Sequence, residues 1–306
     1  MVTKILNASK ASVNILILSP NDTVRHLFEN AGFNHIKTVR QNFDEALKII
    51  TVDHCDVVVI DDIFLDEDTV DFIKAVRSGK HGKNIFLPII TLISDARSEL
   101  ARNAINVGAD DVVIKPLSVN DINRRMTALL NRDLLYVVNA NYIGPNRHSA
   151  ERTDAARDSL ISVPNALRMK ADGFLESNTR ITKLIQEASR DISNRSATLD
   201  GEIIQSLINE VVANPEEAGP TLSQLNPLVQ SFAQKLEQTD YHHISELCNI
   251  LMDILSVIVG SKVTQDIEIL SLVGQALKLS FENSSKSNAA ASEIIVLIKQ
   301  RVFAGS

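Results

Sequence analysis

Two adjacent aspartates, Asp61 and Asp62, follow directly on an apolar run in the stretch DVVVIDD, residues 56–62. Farther along the chain, Lys115 follows a second short apolar run, DVVI, and precedes a proline. An aspartate at the end of a buried strand could be a phosphoryl acceptor, a metal ligand or only the polar end of the strand. The residues alone leave these three interpretations open.

The elements that position these residues alternate between apolar strands and amphipathic helices over residues 13–133. Five strands are predicted, at VNILIL, HIKTVR, DVVVI, LPIITLI and DVVIKP, and an amphipathic stretch follows each of them. Strands that are apolar throughout are typical of a sheet covered on both faces, and repeated strand–helix units predict a doubly wound parallel sheet. Ligands of such sheets bind at the carboxyl ends of the strands. Asp61, Asp62 and Lys115 are therefore predicted to lie at that edge.

The pattern changes after the fifth predicted helix. Residues 134–163 are mostly polar, with a turn signal at Gly144, and we predict a linker there. Residues 164–306 carry apolar residues at helical spacing and predict an α-helical effector or interaction domain. The chain is thus predicted to be α/β followed by all-α.

A heptad-like seam of apolar residues runs from Leu167 to Ile192, with Asn178 as a polar member. Such spacing is typical of a coiled coil. It predicts either a coiled coil over residues 164–196 that joins two copies, or the first helix of a bundle within one chain. The sequence leaves both interpretations open.

The bulk composition excludes some classes of protein. The chain has 306 residues and a formal net charge of −7, which argues against a general nucleic-acid binder. Cys55 and Cys248 lie far apart in apolar surroundings, as expected of reduced thiols. No apolar run approaches the roughly 20 residues of a membrane helix. We therefore predict a soluble, cytoplasmic protein with no membrane partner.

Residues 13–133 resemble the receiver domain of bacterial two-component response regulators, of the chemotaxis-regulator type. The resemblance rests on DVVVID ending at Asp61, on KAVR at the end of the third predicted helix, and on LPIITLIS and GADDVVIKP, which contains Lys115. It implies a flavodoxin-like sheet with the strand order 2-1-3-4-5. The stretch YVVNANYIGPNRH, residues 136–148, also resembles a segment that follows the receiver in response regulators with an all-helical C-terminal region.

The resemblance implies that Asp61 is the phosphoacceptor and that Lys115 contacts the phosphoryl group. Ser94 is a second phosphate-contacting candidate, one residue beyond the usual hydroxyl position. In receivers, an acidic pair at the end of the first strand helps to bind a divalent cation, but here Ser19 and Pro20 stand in its place. Neither residue supplies a carboxylate, so Mg²⁺ would have a thin set of ligands. We predict no cofactor and an atypical receiver.

The functional prediction is a signalling protein that acts through protein–protein interaction and is not an enzyme beyond self-phosphorylation on Asp61. Its expected partners are a histidine kinase or phosphotransfer protein, and a second copy of the chain. One alternative is a phosphotransfer intermediate that uses His242 or His243, although Glu246 lies where such proteins carry a basic residue. Another is a transcription regulator with an unrecognised DNA-binding bundle, which the acidic charge disfavours.

Overall fold

The computed structural model describes most of the chain, in two compact units, Met1–Ser189 and Arg190–Ser306. The described residues are 10, 12–53, 55–64, 67–79, 84–95, 97, 99–139, 142–146, 160–172, 178–237, 239–241, 244–258, 264–282, 293–298 and 300. Among them, no helix is both long enough and apolar enough to span a membrane.

A parallel sheet of five strands forms the centre of the first unit, in the order β2-β1-β3-β4-β5. Its strands and the helices between and after them are β1 Asn14–Leu18, α1 Thr23–Asn30, β2 His35–Val39, α2 Phe43–Val52, β3 Val57–Asp61, α3 Glu67–Arg77, β4 Ile89–Ile93, α4 Glu99–Asn106, β5 Asp111–Ile114 and α5 Val119–Asn131. A short 3-10 helix, Asp62–Phe64, follows β3. The predicted doubly wound sheet and its strand order are confirmed.

The central strand β3 is buried along its whole length. Val57 and Val59 join an apolar cluster on one face of the sheet, while Val58 and Ile60 join a second cluster on the other face. Successive side chains of a strand point to opposite faces, so a strand covered on both faces must be apolar at every position. This burial carries Asp61 to the sheet edge with only 2% of its surface exposed.

A buried ion pair holds the opposite, amino-terminal edge of the sheet. Arg77, at the end of α3, donates to Asp110 Oδ2 at 2.7 Å, and both side chains are almost fully buried. Its guanidinium also donates to the carbonyl oxygens of Ile85, Leu87 and Gly108 at 2.7 to 2.9 Å. One planar cation thereby ties α3 to the segments that lead into β4 and β5.

Three strands follow α5 in the segment where we predicted a linker, residues 134–163, and a helix follows just after that segment. They are β6 Leu135–Asn139, β7 Tyr142–Pro145, β8 Leu160–Ser162 and α6 Ala166–Ala171, and the strands form an antiparallel sheet in the order β7-β6-β8. Apolar and β-branched residues in β6 give the strand its alternating burial. The described residues of the predicted linker thus include three strands, and our domain boundaries stay a prediction.

This segment packs against the rest of the first unit. Tyr136 in β6 is fully buried and meets Phe86 edge-to-face, with ring centroids 5.0 Å apart. Leu167 in α6 is 2% exposed and belongs to the apolar core on one face of the parallel sheet. Because these large side chains are buried there, β6 and α6 contribute to the core of the first unit.

Polar contacts reinforce the attachment of α6. Asn165, the N-cap of this helix, donates through Nδ2 to the carbonyl oxygens of Leu129 and Arg132 at the end of α5, at 2.8 and 3.1 Å. Lys170 donates to Asp56 Oδ2 at 2.6 Å. Asp56 directly precedes β3, whereas Asp61 ends it, so this contact lies at the sheet edge opposite Asp61.

The predicted seam from Leu167 to Ile192 needs a correction. Its first members, Leu167 and Ala171, lie in α6 and pack against the core of the first unit. A separate helix, α7 Asn178–Ala213, carries Ile181, Ile185 and Ile192. Since α6 ends at Ala171, the heptad spacing does not correspond to one helix. The coiled coil over residues 164–196 stays a prediction.

The second unit is helical, as predicted. Besides the later part of α7, it contains α8 Gly219–Leu236, α9 Ser245–Ile258 and α10 Thr264–Ser280. Their apolar faces share one core, to which Ile208, Phe232 and Leu251 contribute. Asp200 is buried and accepts a hydrogen bond from Lys235 at 2.6 Å, so its charge is paired.

Candidate functional site

Four strand ends bring the predicted site residues to one edge of the parallel sheet. The register pairs Leu18 with Ile60, so Ser19 follows β1 beside Asp61 at the end of β3. The register of β4 with β5 likewise sets Ser94 and Lys115 at adjacent strand ends. The parallel arrangement that the sequence predicted is therefore what collects residues that are far apart in the chain.

Both carboxylate oxygens of Asp61 accept hydrogen bonds within the protein. Lys115 Nζ donates to Asp61 Oδ1 at 2.7 Å. The hydroxyl of Ser19 donates to Asp61 Oδ2 at 2.9 Å, and Ser19 itself is fully buried. A carboxylate that is removed from water needs such donors, because an uncompensated buried charge is strongly destabilising.

Asp62 turns toward the same lysine from the 3-10 helix that follows β3. Lys115 Nζ donates to Asp62 Oδ1. The backbone N–H of Ser94 donates to Asp62 Oδ2. One ammonium thus serves two carboxylates, and Asp62 joins the ends of β3, β4 and β5.

Asp61, Asp62, Lys115, Ser19 and Ser94 form a cluster, the Asp61 cluster, in which the charges of Asp62 and Lys115 stabilise each other. Burial acts to raise the pKa of Asp62, but hydrogen bonds from Lys115 and Ser94 outweigh it and hold the pKa below its usual range. Burial acts to lower the pKa of Lys115, yet hydrogen bonds to Asp61 and Asp62 raise it overall. Both directions favour the charged forms. At neutral pH, Asp62 is therefore a carboxylate and Lys115 an ammonium.

The residues at this edge do not fit a divalent cation. Mg²⁺ requires several oxygen ligands in octahedral geometry. Ser19 donates its proton to Asp61, and the ammonium of Lys115 lies against both carboxylates. Asp22, the acid nearest to Ser19 in the sequence, accepts hydrogen bonds from Arg40 at 2.8 and 2.9 Å. Within the described part of the chain, no group of three or more His, Cys, Asp or Glu side chains could hold a metal.

The structure brings Asp61, Asp62, Lys115 and Ser19 together through their side chains, and Ser94 through its backbone N–H. Pro20 does not join them, and its carbonyl oxygen faces Arg40 at 3.4 Å. His242 and His243 lie outside the described residues.

Sequence reasoning missed the role of Ser19 as a donor to Asp61, since it considered this residue only as a missing metal ligand. The available signal was a small hydroxyl residue at a strand end beside the predicted acceptor. The contact between Asp62 and Ser94 was missed as well. It depends on the direction in which the chain turns after β3, which the residue types do not determine.

A comparison with protein families bears directly on this site. Residues 3–127 match the response regulator receiver domain family. This match identifies a response regulator receiver domain within the chain. The match includes the whole parallel sheet and all the residues of the Asp61 cluster.

Curated response regulators are similar to part of the chain. The two-component response regulator PhoP of Pseudomonas aeruginosa is 28% identical over 135 residues, which are 44% of this chain and 58% of that protein. The response regulator MprA of Mycobacterium ulcerans is 34% identical over 128 residues, 40% of this chain and 53% of that protein. The transcriptional regulatory protein PhoP of Escherichia coli is 26% identical over 125 residues, 40% of this chain and 53% of that protein. The chain spans about half the length of these curated relatives.

Solved receiver structures are also similar to this chain. A chemotaxis protein of Vibrio cholerae is 24% identical, with a TM-score of 0.32, over 38% of this chain and 97% of its own. The receiver domain of a sensor histidine kinase from Pseudomonas aeruginosa is 19% identical, with a TM-score of 0.33, over 39% of this chain and 96% of its own. That structure has a magnesium ion coordinated in its active-site cleft.

Proposed function

We propose that this chain is a cytoplasmic two-component signalling protein whose receiver is atypical in metal binding and phosphorylation and acts through protein–protein contact. The observation that carries the proposal is the environment of Asp61. Its side chain is 2% exposed, and its two oxygens accept hydrogen bonds from Lys115 and Ser19. The residue at the phosphoacceptor position thus forms hydrogen bonds with other residues of the protein through both of its oxygens.

This engagement opposes phosphoryl transfer to Asp61 in two ways. The hydrogen bonds from Ser19 and Lys115 draw electron density from the Asp61 oxygens and so lower their reactivity toward a phosphodonor. The charge that develops on the phosphoryl oxygens must also be neutralised, which a metal and a lysine ordinarily share. Here Lys115 is already shared with Asp62, and Ser19 replaces an acidic metal ligand. We therefore expect the ion-pair cluster to serve mainly to hold the strand ends together.

A surface near this cluster supports a role in protein contact. Ile114 in β5 is 53% exposed and Leu100 in α4 is 36% exposed. An ion pair between Asp111 and Arg125, with 3.2 Å between charged atoms, links the start of β5 to α5. Exposed apolar side chains with a polar rim occur in many contact surfaces. The proposed partners are a histidine kinase, a phosphotransfer protein or a second copy of this chain.

Control of transcription is a second candidate, because four of the similar proteins are named as transcriptional regulators. Their similarity covers 40% of this chain. The net charge of −7 disfavours general DNA binding. DNA binding by the full chain at low salt, with a steep loss of affinity as salt rises, would support this candidate over the first.

The proposed function is tested by phosphorylation in vitro. The full chain is incubated with acetyl phosphate and Mg²⁺, and its intact mass is measured beside that of Asp61→Asn. We expect no gain of a phosphoryl group in either protein. A phosphoryl adduct on the natural chain that is lost in Asp61→Asn would overturn the proposal.

A further inference from the structure

Two hydrogen-bond donors at the carboxyl edge of the sheet form a small anion site. They are the ammonium of Lys115, after β5, and the backbone N–H of Ser94, after β4. A fixed N–H and a lysine that converge on one point are well suited to the oxygens of a carboxylate or a phosphate.

The carboxylate of Asp62 fills this site from within the chain. Its two oxygens are divided between the donors, with Oδ1 on Lys115 and Oδ2 on Ser94. Lys115 also contacts Asp61, so the filled site lies directly beside the phosphoacceptor position. A phosphoryl group on Asp61 would need these same donors.

We propose that Asp62 is an internal ligand of an oxyanion site formed by Lys115 and the Ser94 N–H, and that it holds the end of β4 in a ligand-bound arrangement without phosphorylation. The inference rests on the proposed function, in which Asp61 does not take a phosphoryl group. The inference adds that the site is always occupied, because its ligand, Asp62, is the residue that directly follows Asp61. The ligand class that could replace Asp62 is a tetrahedral oxyanion such as inorganic phosphate.

The exposed fractions of the three side chains support this assignment. The side chains of Asp62 and Lys115 are 15% and 22% exposed, whereas that of Asp61 is 2% exposed. An external anion could therefore reach the Asp62 position from solvent if that carboxylate were removed. An internal ligand competes at a high effective concentration, so its removal should strengthen the binding of an external anion markedly.

The test is a titration of the full chain with inorganic phosphate at constant ionic strength, followed by the Ser94 amide signal in ¹H–¹⁵N NMR spectra. In the natural chain we expect no saturable shift of this signal. In Asp62→Ala we expect a saturable shift. Its apparent affinity for phosphate should be at least about tenfold above the upper limit that the titration sets for the natural chain. Hydrogen exchange of the Ser94 N–H should be faster in the variant and slow again when phosphate binds.

Three further variants make the result specific. Lys115→Met in the Asp62→Ala background should abolish the phosphate-dependent shift, since it removes the cationic donor. Asp22→Ala, which removes a carboxylate that is paired with Arg40 instead, should behave like the natural chain. Asp62→Ser serves if Asp62→Ala does not fold, because it also removes the carboxylate and keeps a small polar side chain, and it should likewise gain phosphate binding.

Equal phosphate binding by the natural chain and the Asp62 variants, or no binding by any of them, would overturn the inference. If the natural chain resists acetyl phosphate while the Asp62 variants bind no phosphate, the inference fails and the proposed function stands. If Asp61 of the natural chain is phosphorylated, both fail, because the donors would then be available to a phosphoryl group.

Discussion

Lys115 lies between two carboxylates that are neighbours in the chain. Its ammonium is 2.7 Å from Asp61 Oδ1 and also donates to Asp62, so the ends of β3 and β5 are joined by one cation. The hydroxyl of Ser19 also donates to Asp61, and the backbone N–H of Ser94 also donates to Asp62.

Ser19→Ala tests the hydroxyl that holds Asp61. The substitution removes the donor to a buried, charged oxygen, and we expect the free energy of unfolding to fall by about 1–3 kcal/mol. The measurement is urea denaturation. Ser78→Ala is the matched control, because Ser78 is exposed and donates only to a nearby carbonyl oxygen. Equal stability of Ser19→Ala and the natural chain would show that Ser19 does not stabilise Asp61.

The Asp62 carboxylate predicts a defined dependence on pH. Its pKa is lower in the folded protein than in the unfolded chain, so its contribution to stability is complete above the unfolded value of about 4. That contribution is lost as the pH falls through the folded pKa. The pKa of Lys115 is raised, so its contribution persists until the pH rises through a value above its usual range of about 10.4.

We therefore expect the natural chain to exceed Asp62→Asn in stability by a constant amount from about pH 5 to pH 7, with the difference shrinking below about pH 4. Denaturation of both proteins across this range provides the measurement. A difference that grows as the pH falls would contradict the assigned direction of the Asp62 pKa shift.

Arg77→Met tests the buried ion pair at the opposite edge of the sheet. The change leaves Asp110 without its closest cation and three carbonyl oxygens without their donor. We expect a loss of about 3–5 kcal/mol in the free energy of unfolding. Arg25→Met is the control, since Arg25 pairs with Glu29 on an exposed helix surface and its loss should change stability little. Similar effects of the two substitutions would refute a structural role for the Arg77 pair.

Leu167→Ala tests whether α6 belongs to the core of the first unit. The natural side chain is 2% exposed among residues of that core, so we expect a loss of roughly 2–5 kcal/mol. Leu184→Ala is the control, because the Leu184 side chain is 36% exposed. If Leu167→Ala left the stability unchanged, residues 164–172 would be better described as part of a linker.

The parallel sheet and the position of Asp61 could be predicted from sequence because they follow from strong, local patterns. Continuous apolar strands such as Val57–Ile60 identify a sheet covered on both faces. Asp61 and Lys115 lie at strand ends, where the topology of the sheet alone brings them together. The strand order and the positions of the strand ends were enough to predict this part of the site.

The remaining details depend on directions that residue types do not determine. Whether Ser19 donates to Asp61 depends on the register of β1 with β3. Whether Asp62 reaches Lys115 depends on the turn after β3. Leu167 has helical spacing that suits a heptad seam equally well, and only its contacts in the folded chain assign it to the core of the first unit.

The most direct test of the central claim is a calorimetric titration of the full chain with Mg²⁺, with Asp61→Asn as the control. Because Ser19 and Pro20 replace the acidic pair and Lys115 lies against both carboxylates, we expect no saturable binding of Mg²⁺ by either protein. A saturable site in the natural chain that disappears in Asp61→Asn would contradict the account.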